Sequence, residues 1–284
     1  MRILVTGATG FVGRHVIMKL LTENHTVIAS STDETKAATF PWFKQVIFKE
    51  YIIGEQDDKI NLFEYFEKPE VLLHLAWSGL PNFQSLHHME NVLPYHMYFL
   101  RNLILNGIKH ITITGTCFEY GLKGGCLEEH MCTNPITAYG IAKDTLRKYI
   151  ELLRITYGFS FKWVRFFYMY GEGQSAGSLI PQLEVALREG HNVFKMSLGE
   201  QLRDYLDVSI VASNIVKIVS QFKIDGIINC CSGLPISVRE FVEEYLIKTN
   251  RIIQLHLGAY EYSNYEPMNF WGDTRILNQI INNE

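Results

Sequence analysis

The sequence has none of the features that mark a membrane-spanning or exported chain. No apolar run approaches the ~20 residues that cross a bilayer as a helix, and a strand-like run starts at Ile3, which leaves no room for a signal peptide. The five cysteines include no Cys-x-x-Cys pair, and no His/Cys cluster has the spacing of a metal site. We therefore expect reduced thiols, no bound metal and a cytoplasmic location.

An excess of charge of either sign is also missing. The formal net charge is −4 and the pI is near 6.2, so nothing favours binding to nucleic acid or to an anionic membrane surface. Internal repeats, low-complexity segments and Pro/Ser-rich linkers are absent as well. What the 284 residues do contain is 47% hydrophobic side chains, which is enough for a large core.

Short apolar runs alternate with amphipathic stretches through the first half of the chain. Strands are expected at 3–6, 26–30, 45–48, 71–75, 110–114 and 161–167. Helices are expected at 11–22, 60–66, 85–106, 136–157 and 178–188. This alternation predicts βαβ units and, with right-handed crossovers, a Rossmann-like α/β fold with a doubly wound parallel sheet.

After residue 170 the regular alternation of strand-like and helical stretches ends. A glycine-rich loop at 171–177 precedes elements that alternate irregularly, which predicts a smaller C-terminal lobe. We expect a dinucleotide-binding domain over 1–168 and a substrate-binding lobe over 169–284. A segment near 203–233 is expected to return to the first domain, because its run 226–233 resembles a strand followed by a turn. The aromatic-rich tail, 262–273, could close the substrate pocket or pack the second lobe.

Gly7, Gly10 and Gly13 stand directly after the first strand-like run, with the spacing G-x-x-G-x-x-G. At such a turn the first glycine permits a tight bend, the second lets a pyrophosphate approach the backbone, and the third lets the helix pack close to the sheet. The helix N-terminus then offers free N–H groups and a positive dipole end to phosphates. The motif predicts a dinucleotide cradle, with a plain flexible turn as the alternative.

A carboxylate is missing where NAD-binding folds usually place one, at the end of the second strand. Ser31 stands there, and the first carboxylate, Asp33, comes late. A small hydroxyl near the ribose would admit a 2′-phosphate, which Arg14 or Lys36 could neutralise. We therefore expect NADP as the cofactor, with NAD as the alternative.

Tyr139 and Lys143 lie one helical turn apart and share one face of a predicted helix. A nearby ammonium favours phenolate, and would lower the tyrosine pKa from its ordinary value of about 10 towards one useful for acid–base catalysis. Thr116 follows the fifth predicted strand, at the edge that faces the ligand crevice, where its hydroxyl could hold a substrate oxygen. The structural alternatives are an ordinary helix pair and a turn cap.

Together these segments resemble the extended short-chain dehydrogenase/reductase family, also called the NAD-dependent epimerase/dehydratase family. The resemblance runs across nearly the whole chain. Its segments are the glycine motif, His74-Leu75-Ala76, Thr116 with Tyr120-Gly121, Tyr139 with Lys143, 165–171, Arg203-Asp204-Tyr205, and Asn229 with Ser232-Gly233.

The resemblance implies an NAD(P)-binding lobe and a lobe for a nucleotide-linked sugar. Tyr139 would be the general acid/base, Lys143 would support it and bind the cofactor ribose, and Thr116 would hydrogen-bond the reacting oxygen. The cofactor would lie against Gly7, Thr9, Gly10, Phe11, Val12, Arg14, Ser31, Leu75, Ala76 and Lys143. The substrate would lie against Thr116, Tyr139, Tyr168, Phe194 and Arg203.

Several of these residues have alternatives. Arg203 would face the substrate diphosphate, or form a surface ion pair with Asp204. Phe194 could stack on the nucleotide base, or pack the second lobe. Many family members have Asn at the position of Tyr168, which puts the usual substrate contact there in doubt. His74 would line the cofactor groove or fill a core position.

The residues after Thr116 narrow the reaction. Cys117 and Phe118 stand where nucleotide-sugar 4,6-dehydratases have Asp-Glu, so we exclude elimination of water. The leading hypothesis is reduction of a nucleotide-linked 4-keto-6-deoxyhexose, for example dTDP-4-keto-6-deoxyglucose to dTDP-fucose, for a surface polysaccharide such as O-antigen.

An NAD-dependent nucleotide-sugar 4-epimerase is the alternative reaction. A non-catalytic NADP sensor would be expected to have lost Tyr139 and Lys143. The resemblance also implies a homodimer formed through helices 85–106 and 136–157.

Overall fold

The structure is a computed structural model in which residues 1–54 and 60–282 are described. Its β-strands are β1 (Arg2–Thr6), β2 (Thr26–Ser31), β3 (Ile47–Glu50), β4 (Val71–His74), β5 (His110–Thr116), β6 (Gly125–Leu127), β7 (Ser160–Phe166), β8 (Tyr168–Tyr170), β9 (Val193–Lys195), β10 (Leu202–Asp207), β11 (Gly226–Cys230), β12 (Pro235–Ser237), β13 (Gln254–His256) and β14 (Phe270–Gly272). Its α-helices are α1 (Phe11–Thr22), α2 (Glu34–Ala37), α3 (Leu62–Tyr65), α4 (Leu93–Leu105), α5 (Ala138–Tyr157), α6 (Leu179–Arg188), α7 (Val208–Ser220), α8 (Val238–Thr249) and α9 (Arg275–Asn282).

A seven-stranded parallel sheet forms the centre of the molecule, in the order β3-β2-β1-β4-β5-β7-β11. Its central strands are buried apolar runs, as expected for a parallel sheet that is covered on both faces. Helices α1, α7 and α9 pack over one face, and α4 and α5 pack over the other. The predicted α/β fold with a doubly wound sheet is confirmed.

The strand order reverses beside β1. The chain winds outward through β2 and β3 on one side of it, and from β4 onward it winds in the opposite direction. At such a switch point the loops after the strands diverge and leave the crevice in which doubly wound proteins bind ligands. The glycine loop follows β1, Ser31 ends β2 and Thr116 ends β5, so all three lie at this edge.

A smaller lobe is built mainly from the C-terminal third of the chain. It contains the three-stranded sheet β12-β10-β8 and the two-stranded sheet β13-β9. Helices α6 and α8 enclose an apolar core that includes Leu183, Phe194 and Val242. The pairing of β14 with β6 joins the C-terminal segment to the loop region after β5.

The run 226–233 contributes a strand to the main sheet. Its strand, β11, pairs in parallel with β7 from Gly226 to Cys230. Helices α7 and α9, from the same third of the chain, also pack on the main sheet. The C-terminal third therefore contributes to both lobes.

Two predicted elements differ from the structure. The helix predicted at 85–106 is a π-helical turn at His88–Val92 followed by α4. Pro94 lies in the first turn of α4. The first N–H groups of a helix have no partner within the helix, so the missing N–H of proline costs no hydrogen bond there and favours the start of a new helix. The strand predicted at 45–48 begins later, as β3, because Phe43–Gln45 forms a 3₁₀ turn.

Within residues 1–54 and 60–282, no helix is both long and apolar enough to cross a membrane. Across the same part of the chain, no three His, Cys, Asp or Glu side chains converge in a way that could hold a metal ion. The cysteines are free thiols: Cys117, Cys230 and Cys231 are buried, and Cys126 and Cys132 are exposed.

Candidate active site

The loop after β1 has the geometry of a phosphate cradle. Gly7 has a φ of +70°, in the left-handed region, and a Cβ there would lie 2.8 Å from the backbone nitrogen of Ala76. A Cβ on Gly13 would lie 2.2 Å from the carbonyl oxygen of Gly7, so only glycine lets α1 approach the turn this closely. Gly10 is the N-cap of α1 and has no side chain to accept a hydrogen bond from the first turn. The first N–H groups of the helix are therefore available to a ligand.

The residues predicted to hold the cofactor converge on this loop. Leu75 and Ala76 follow β4, and their N–H groups approach Thr6 O and Thr6 Oγ1 at 3.3 and 3.4 Å. Ser31 is buried at the end of the neighbouring strand β2. The remaining residues predicted for this groove lie in the loop and the first turn of α1: Thr9, Phe11 and Val12.

Arg14, in α1, carries a guanidinium that is only partly satisfied. Its Nε and Nη2 atoms are buried and have no hydrogen-bond partner among the described residues, and the Glu172 carboxylate stays 3.8 Å from Nη2. Gly173 lets the guanidinium lie against the backbone, because a Cβ there would come within 1.7 Å of Nη2. Buried polar groups without partners cost free energy unless a ligand supplies acceptors. Together with the cradle, this partly satisfied cation fits an anionic dinucleotide.

Thr116 caps the turn that follows β5 and lies beside Tyr139. Its Oγ1 accepts a hydrogen bond from Phe118 N at 3.3 Å, and its N–H donates to Glu119 Oε1 at 2.9 Å. These bonds form a capping box on the 3₁₀ turn at Cys117–Tyr120. The Thr116 hydroxyl also lies close enough to the Tyr139 phenol to act on its pKa, which it lowers. Thr116 therefore caps the turn, as the structural alternative held, and contacts Tyr139 as well.

Tyr139 and Lys143 share one face of α5, in its first and second turns. The N–H of Tyr139 donates to Phe83 O at 3.0 Å, so the segment after β4 is tied to the start of α5. Lys143 Nζ donates to Thr114 O at 2.9 Å and lies 4.0 Å from the centroid of the Trp77 ring. Both side chains are buried, with exposed fractions of 8% for Tyr139 and 2% for Lys143.

Burial shifts the pKa values of this pair in opposite directions. It raises the pKa of the Tyr139 phenol, and the nearby Glu119 charge adds to the effect. It lowers the pKa of Lys143 to about 7. The lowering of the Tyr139 pKa expected from the sequence is therefore not found. The Lys143 ammonium is turned towards Thr114 and Trp77, and desolvation of the phenolate prevails. At neutral pH Tyr139 holds its proton and can donate it.

A buried ion pair supports the turn that follows Thr116. Glu119 accepts hydrogen bonds from Arg165 Nε at 2.8 Å and from Trp163 Nε1 at 2.9 Å. The side chains of Glu119 and Arg165 are fully buried, so this carboxylate is committed to holding the structure. Burial raises the pKa of the Cys117 thiol. The turn after Thr116 thus offers no second group ready for proton transfer.

The three residues predicted to bind the outer part of the substrate line one cavity. Tyr168, Phe194 and Arg203 surround a volume of about 350 Å³ in the smaller lobe. Arg203 Nη2 donates to Glu266 Oε2 at 2.8 Å, and the Tyr168 hydroxyl donates to the other oxygen of Glu266. Phe194 is also part of the apolar core of that lobe, so packing and lining the cavity are both among its roles.

Arg203 does not pair with Asp204. The Asp204 carboxylate accepts hydrogen bonds from the backbone nitrogens of Ser232, Gly233 and Gly272 at 2.7, 2.9 and 3.2 Å. The Arg203 side chain is only 5% exposed. The alternative of a surface ion pair is therefore wrong.

His74 occupies a core position. It is fully buried, with Nδ1 2.9 Å from Thr6 Oγ1 and Nε2 2.7 Å from His96 Nδ1. Burial lowers the pKa of both imidazoles, that of His96 to about 3. Both are neutral at physiological pH, and neither is poised for acid–base chemistry.

Sequence reasoning did not assign Glu266, Phe83, His88 or Tyr265 to the site. The Phe83 ring centroid lies 5.7 Å from that of Tyr139 and 6.3 Å from that of Tyr265. The tail segment therefore reaches both Arg203 and the neighbourhood of Tyr139. The aromatic richness of 262–273 is the signal that points to it.

Comparisons with known proteins agree with this architecture. The pattern of the NAD dependent epimerase/dehydratase family matches residues 3–231. The chain is 33% identical over 274 residues to dTDP-6-deoxy-L-talose 4-dehydrogenase (NAD(+)) of Aggregatibacter actinomycetemcomitans, covering 96% of this chain and 99% of that protein. It is 25% identical to the uncharacterized UDP-glucose epimerase YtcB of Bacillus subtilis, covering 99% and 92% of the two chains.

A solved structure gives the same picture of the fold. UDP-glucuronic acid 4-epimerase from Bacillus cereus, in complex with UDP-glucuronic acid and NAD, superposes with a TM-score of 0.85 at 19% identity, covering 100% of this chain and 94% of that one. The family match spans most of the chain and the first of these relatives covers nearly all of it. The chain therefore belongs to the NAD-dependent epimerase/dehydratase family and is an NAD(P)-dependent enzyme of the oxidoreductase type.

Proposed function

We propose that this enzyme transfers hydride between NADPH and C4 of a nucleotide-linked 6-deoxyhexose. In the direction of synthesis it would reduce a 4-keto-6-deoxyhexose, for example dTDP-4-keto-6-deoxyglucose to dTDP-fucose, for a surface polysaccharide. The observation that carries this proposal is the burial of Tyr139 and Lys143 on one face of α5, with Thr116 beside the phenol at the carboxyl end of β5. The relative named as a 6-deoxyhexose 4-dehydrogenase supports the choice of carbon and of sugar class.

The chain's own residues account for the proton in this reaction. Thr116 and Tyr139 would both hydrogen-bond the C4 carbonyl oxygen and so hold it where charge develops. When bound, the reduced nicotinamide supplies the hydride that C4 accepts. Tyr139 then donates its phenolic proton to the new alkoxide, which gives the C4 hydroxyl. Lys143, whose ammonium lies against Thr114 O and the Trp77 ring, would bind the ribose of the cofactor, and the phenolate left on Tyr139 would regain its proton from solvent.

The surroundings of Thr116 favour reduction over elimination of water. Elimination needs a second acid/base pair beside the one that handles the C4 oxygen. In the described residues Glu119 is bound by Trp163 and Arg165, and the pKa of Cys117 is raised. His88 lies near Tyr139, but both its ring nitrogens are engaged, with Trp77 and with Asn82 O. These contacts support the exclusion of dehydratase activity.

The residues at the end of β2, where the cofactor ribose is expected, favour NADP. Ser31 ends β2 where a carboxylate would accept from the 2′-hydroxyl of NAD. The nearest acidic side chain along the chain, Asp33, caps α2 by accepting from Lys36 N at 2.8 Å. One oxygen of that carboxylate is therefore already engaged in the cap. NAD stays the alternative, and the dehydrogenase relative is named for it.

The cavity around Arg203 is proposed to take the nucleotide diphosphate. A guanidinium fork suits phosphate oxygens, and Phe194 on the cavity wall offers a ring for the base. Tyr168 and Glu266 would face the same ligand. Thymidine is the nucleoside we propose.

One assay separates this proposal from its main alternative. Purified enzyme is mixed with NADPH and a freshly made dTDP-4-keto-6-deoxyhexose, and absorbance at the NADPH band is followed with product analysis. Stoichiometric loss of NADPH with formation of a dTDP-6-deoxyhexose is the expected result. A 4-epimerase would interconvert two nucleotide hexoses without net use of cofactor. No turnover of either kind with any dTDP or UDP sugar would overturn the proposal.

A homodimer formed through α4 and α5 is also proposed. Both helices carry large apolar side chains that the monomer leaves exposed, namely Tyr98, Leu105, Leu152 and Ile155. Apolar groups at such a face are stabilised by a partner. Sedimentation at micromolar concentration should give a dimer, and a clean monomer would contradict the proposal.

A further inference from the structure

Trp77 is in direct contact with the lysine of the active site. Lys143 Nζ lies 4.0 Å from the centroid of the indole ring. The lysine is 2% exposed, so water does not compete for the ammonium. In such a desolvated setting the face of a Trp ring attracts a cation more strongly than it does at an exposed site. Within the described residues, Nζ makes one hydrogen bond besides its contact with the ring, to Thr114 O.

The indole itself is fixed from its other sides. Its Nε1–H donates to His88 Nδ1 at 3.2 Å, and His88 Nε2 lies 2.9 Å from Asn82 O. Because Nδ1 accepts and the partner of Nε2 is a carbonyl, His88 is held as the neutral tautomer with its proton on Nε2. The His96 ring packs on the indole at 4.7 Å. Trp77 belongs to the segment that follows β4, so its indole links that segment to Lys143.

Among the described residues, the charged form of Lys143 is favoured by Thr114 O, by Glu119 and by the indole face of Trp77. His74, His88 and His96 face it, and burial lowers the pKa of each, so they add no positive charge at neutral pH. Glu119 favours the charged lysine, and burial opposes it. Tyr139, whose ring centroid lies 6.0 Å from that of Trp77, is a neutral phenol.

We propose that Trp77 is a positioning residue whose indole face holds the Lys143 ammonium in place between the cofactor groove and Tyr139. The effect of this contact on turnover rests on the role proposed above for Lys143. The contact between the indole and the ammonium is independent of that role. Trp77 follows His74-Leu75-Ala76 in sequence, so the segment that lines the cofactor groove would also set the state of the lysine.

The test compares Trp77→Phe, which keeps an aromatic face, with Trp77→Leu, which removes it. The pKa of Lys143 is measured without substrate or cofactor, by NMR titration of the ¹³Cε signals of ¹³C-lysine-labelled protein, with Lys143→Arg to assign the signal. We expect the pKa to fall by about one unit in Trp77→Leu, and by less than half of that in Trp77→Phe. Trp77→Met is a second non-aromatic variant in case Trp77→Leu does not fold.

Turnover gives the second readout. The loss of kcat at high pH should begin about one pH unit lower in Trp77→Leu than in the wild type, while Trp77→Phe should stay near it. If both variants leave the titration of Lys143 unchanged or raise its pKa, Trp77 only packs and the proposal is wrong. Because the titration needs no substrate, this result is separate from a failure of the proposed reaction.

Discussion

Arg203 and Glu266 form an ion pair of 2.8 Å inside the cavity proposed for the nucleotide. The guanidinium also donates from Nη1 to Leu202 O and Met268 O, at 2.8 and 3.1 Å. The Nη2 atom of Arg203, which donates to Glu266, cannot bind a phosphate until that carboxylate moves. Glu266 therefore competes with the ligand that Arg203 is proposed to bind.

Replacing Glu266 should tighten binding of a nucleoside diphosphate. We expect Glu266→Gln to bind dTDP roughly fivefold more tightly than the wild type, because loss of a competing ion pair is worth ~1 kcal/mol. Isothermal titration calorimetry with dTDP measures this directly.

Glu261→Gln is the matched control, since it removes the same charge from the wall of the same cavity. It should change the Kd for dTDP less than twofold. Weaker binding by Glu266→Gln would instead mean that the carboxylate orients Arg203 for the ligand.

Removing the phenolic hydroxyl of Tyr139 should abolish turnover and spare cofactor binding. A positioned general acid contributes roughly 10²- to 10⁴-fold to rate, so Tyr139→Phe should lower kcat by at least a hundredfold. NADPH affinity, measured by fluorescence titration, should change little, because the glycine loop and Arg14 are untouched. Retained activity in Tyr139→Phe would contradict the mechanism.

Thr116 offers a matched pair for the same step. Thr116→Ser keeps the hydroxyl that caps the turn and contacts Tyr139, so it should keep most of the activity. Thr116→Val keeps the shape and loses the hydroxyl, and should lower kcat roughly tenfold or more. Equal losses in the two variants would indicate that packing at this position matters and the hydroxyl does not.

The buried Lys143 should make the protein more stable as pH rises above neutrality. Burial lowers its folded pKa to about 7, from an ordinary value of 10.5. Below about pH 7 both states hold the proton. Above it the folded state releases the proton while the unfolded state keeps it, so the free energy of unfolding rises with pH up to about 10.5. The slope from this group is at most ~1.4 kcal/mol per pH unit.

Lys143→Met isolates that contribution. Its Tm should exceed that of the wild type at pH 6.5, and the difference should shrink steadily towards pH 9.5. Measurements stop there because Tyr120 and Tyr139, whose pKa values are raised by burial, oppose stability at higher pH. Parallel Tm curves for the two proteins would show that Lys143 titrates alike in the folded and unfolded states.

The sequence predicted the parts of the site that depend on local patterns. The glycine turn and the placing of Tyr139 and Lys143 on one helix face follow from spacings within a few residues. The contacts of Glu266 with Arg203 and of Trp77 with Lys143 join segments far apart in the chain, and no local spacing encodes them. The direction of the Tyr139 pKa shift was also missed, because it depends on how deeply the folded chain buries the phenol.

Cofactor choice should depend on Ser31. Its small hydroxyl ends β2 without a carboxylate, so the wild type should have a kcat/KM for NADPH at least tenfold above that for NADH. Ser31→Asp would accept from the ribose 2′-hydroxyl and repel a 2′-phosphate, and should reverse the preference. Thr32→Asp is the control, because it adds the same charge one residue beyond the strand. Equal effects of the two substitutions would point to bulk charge, and comparable wild-type turnover with both cofactors would remove the argument for NADP.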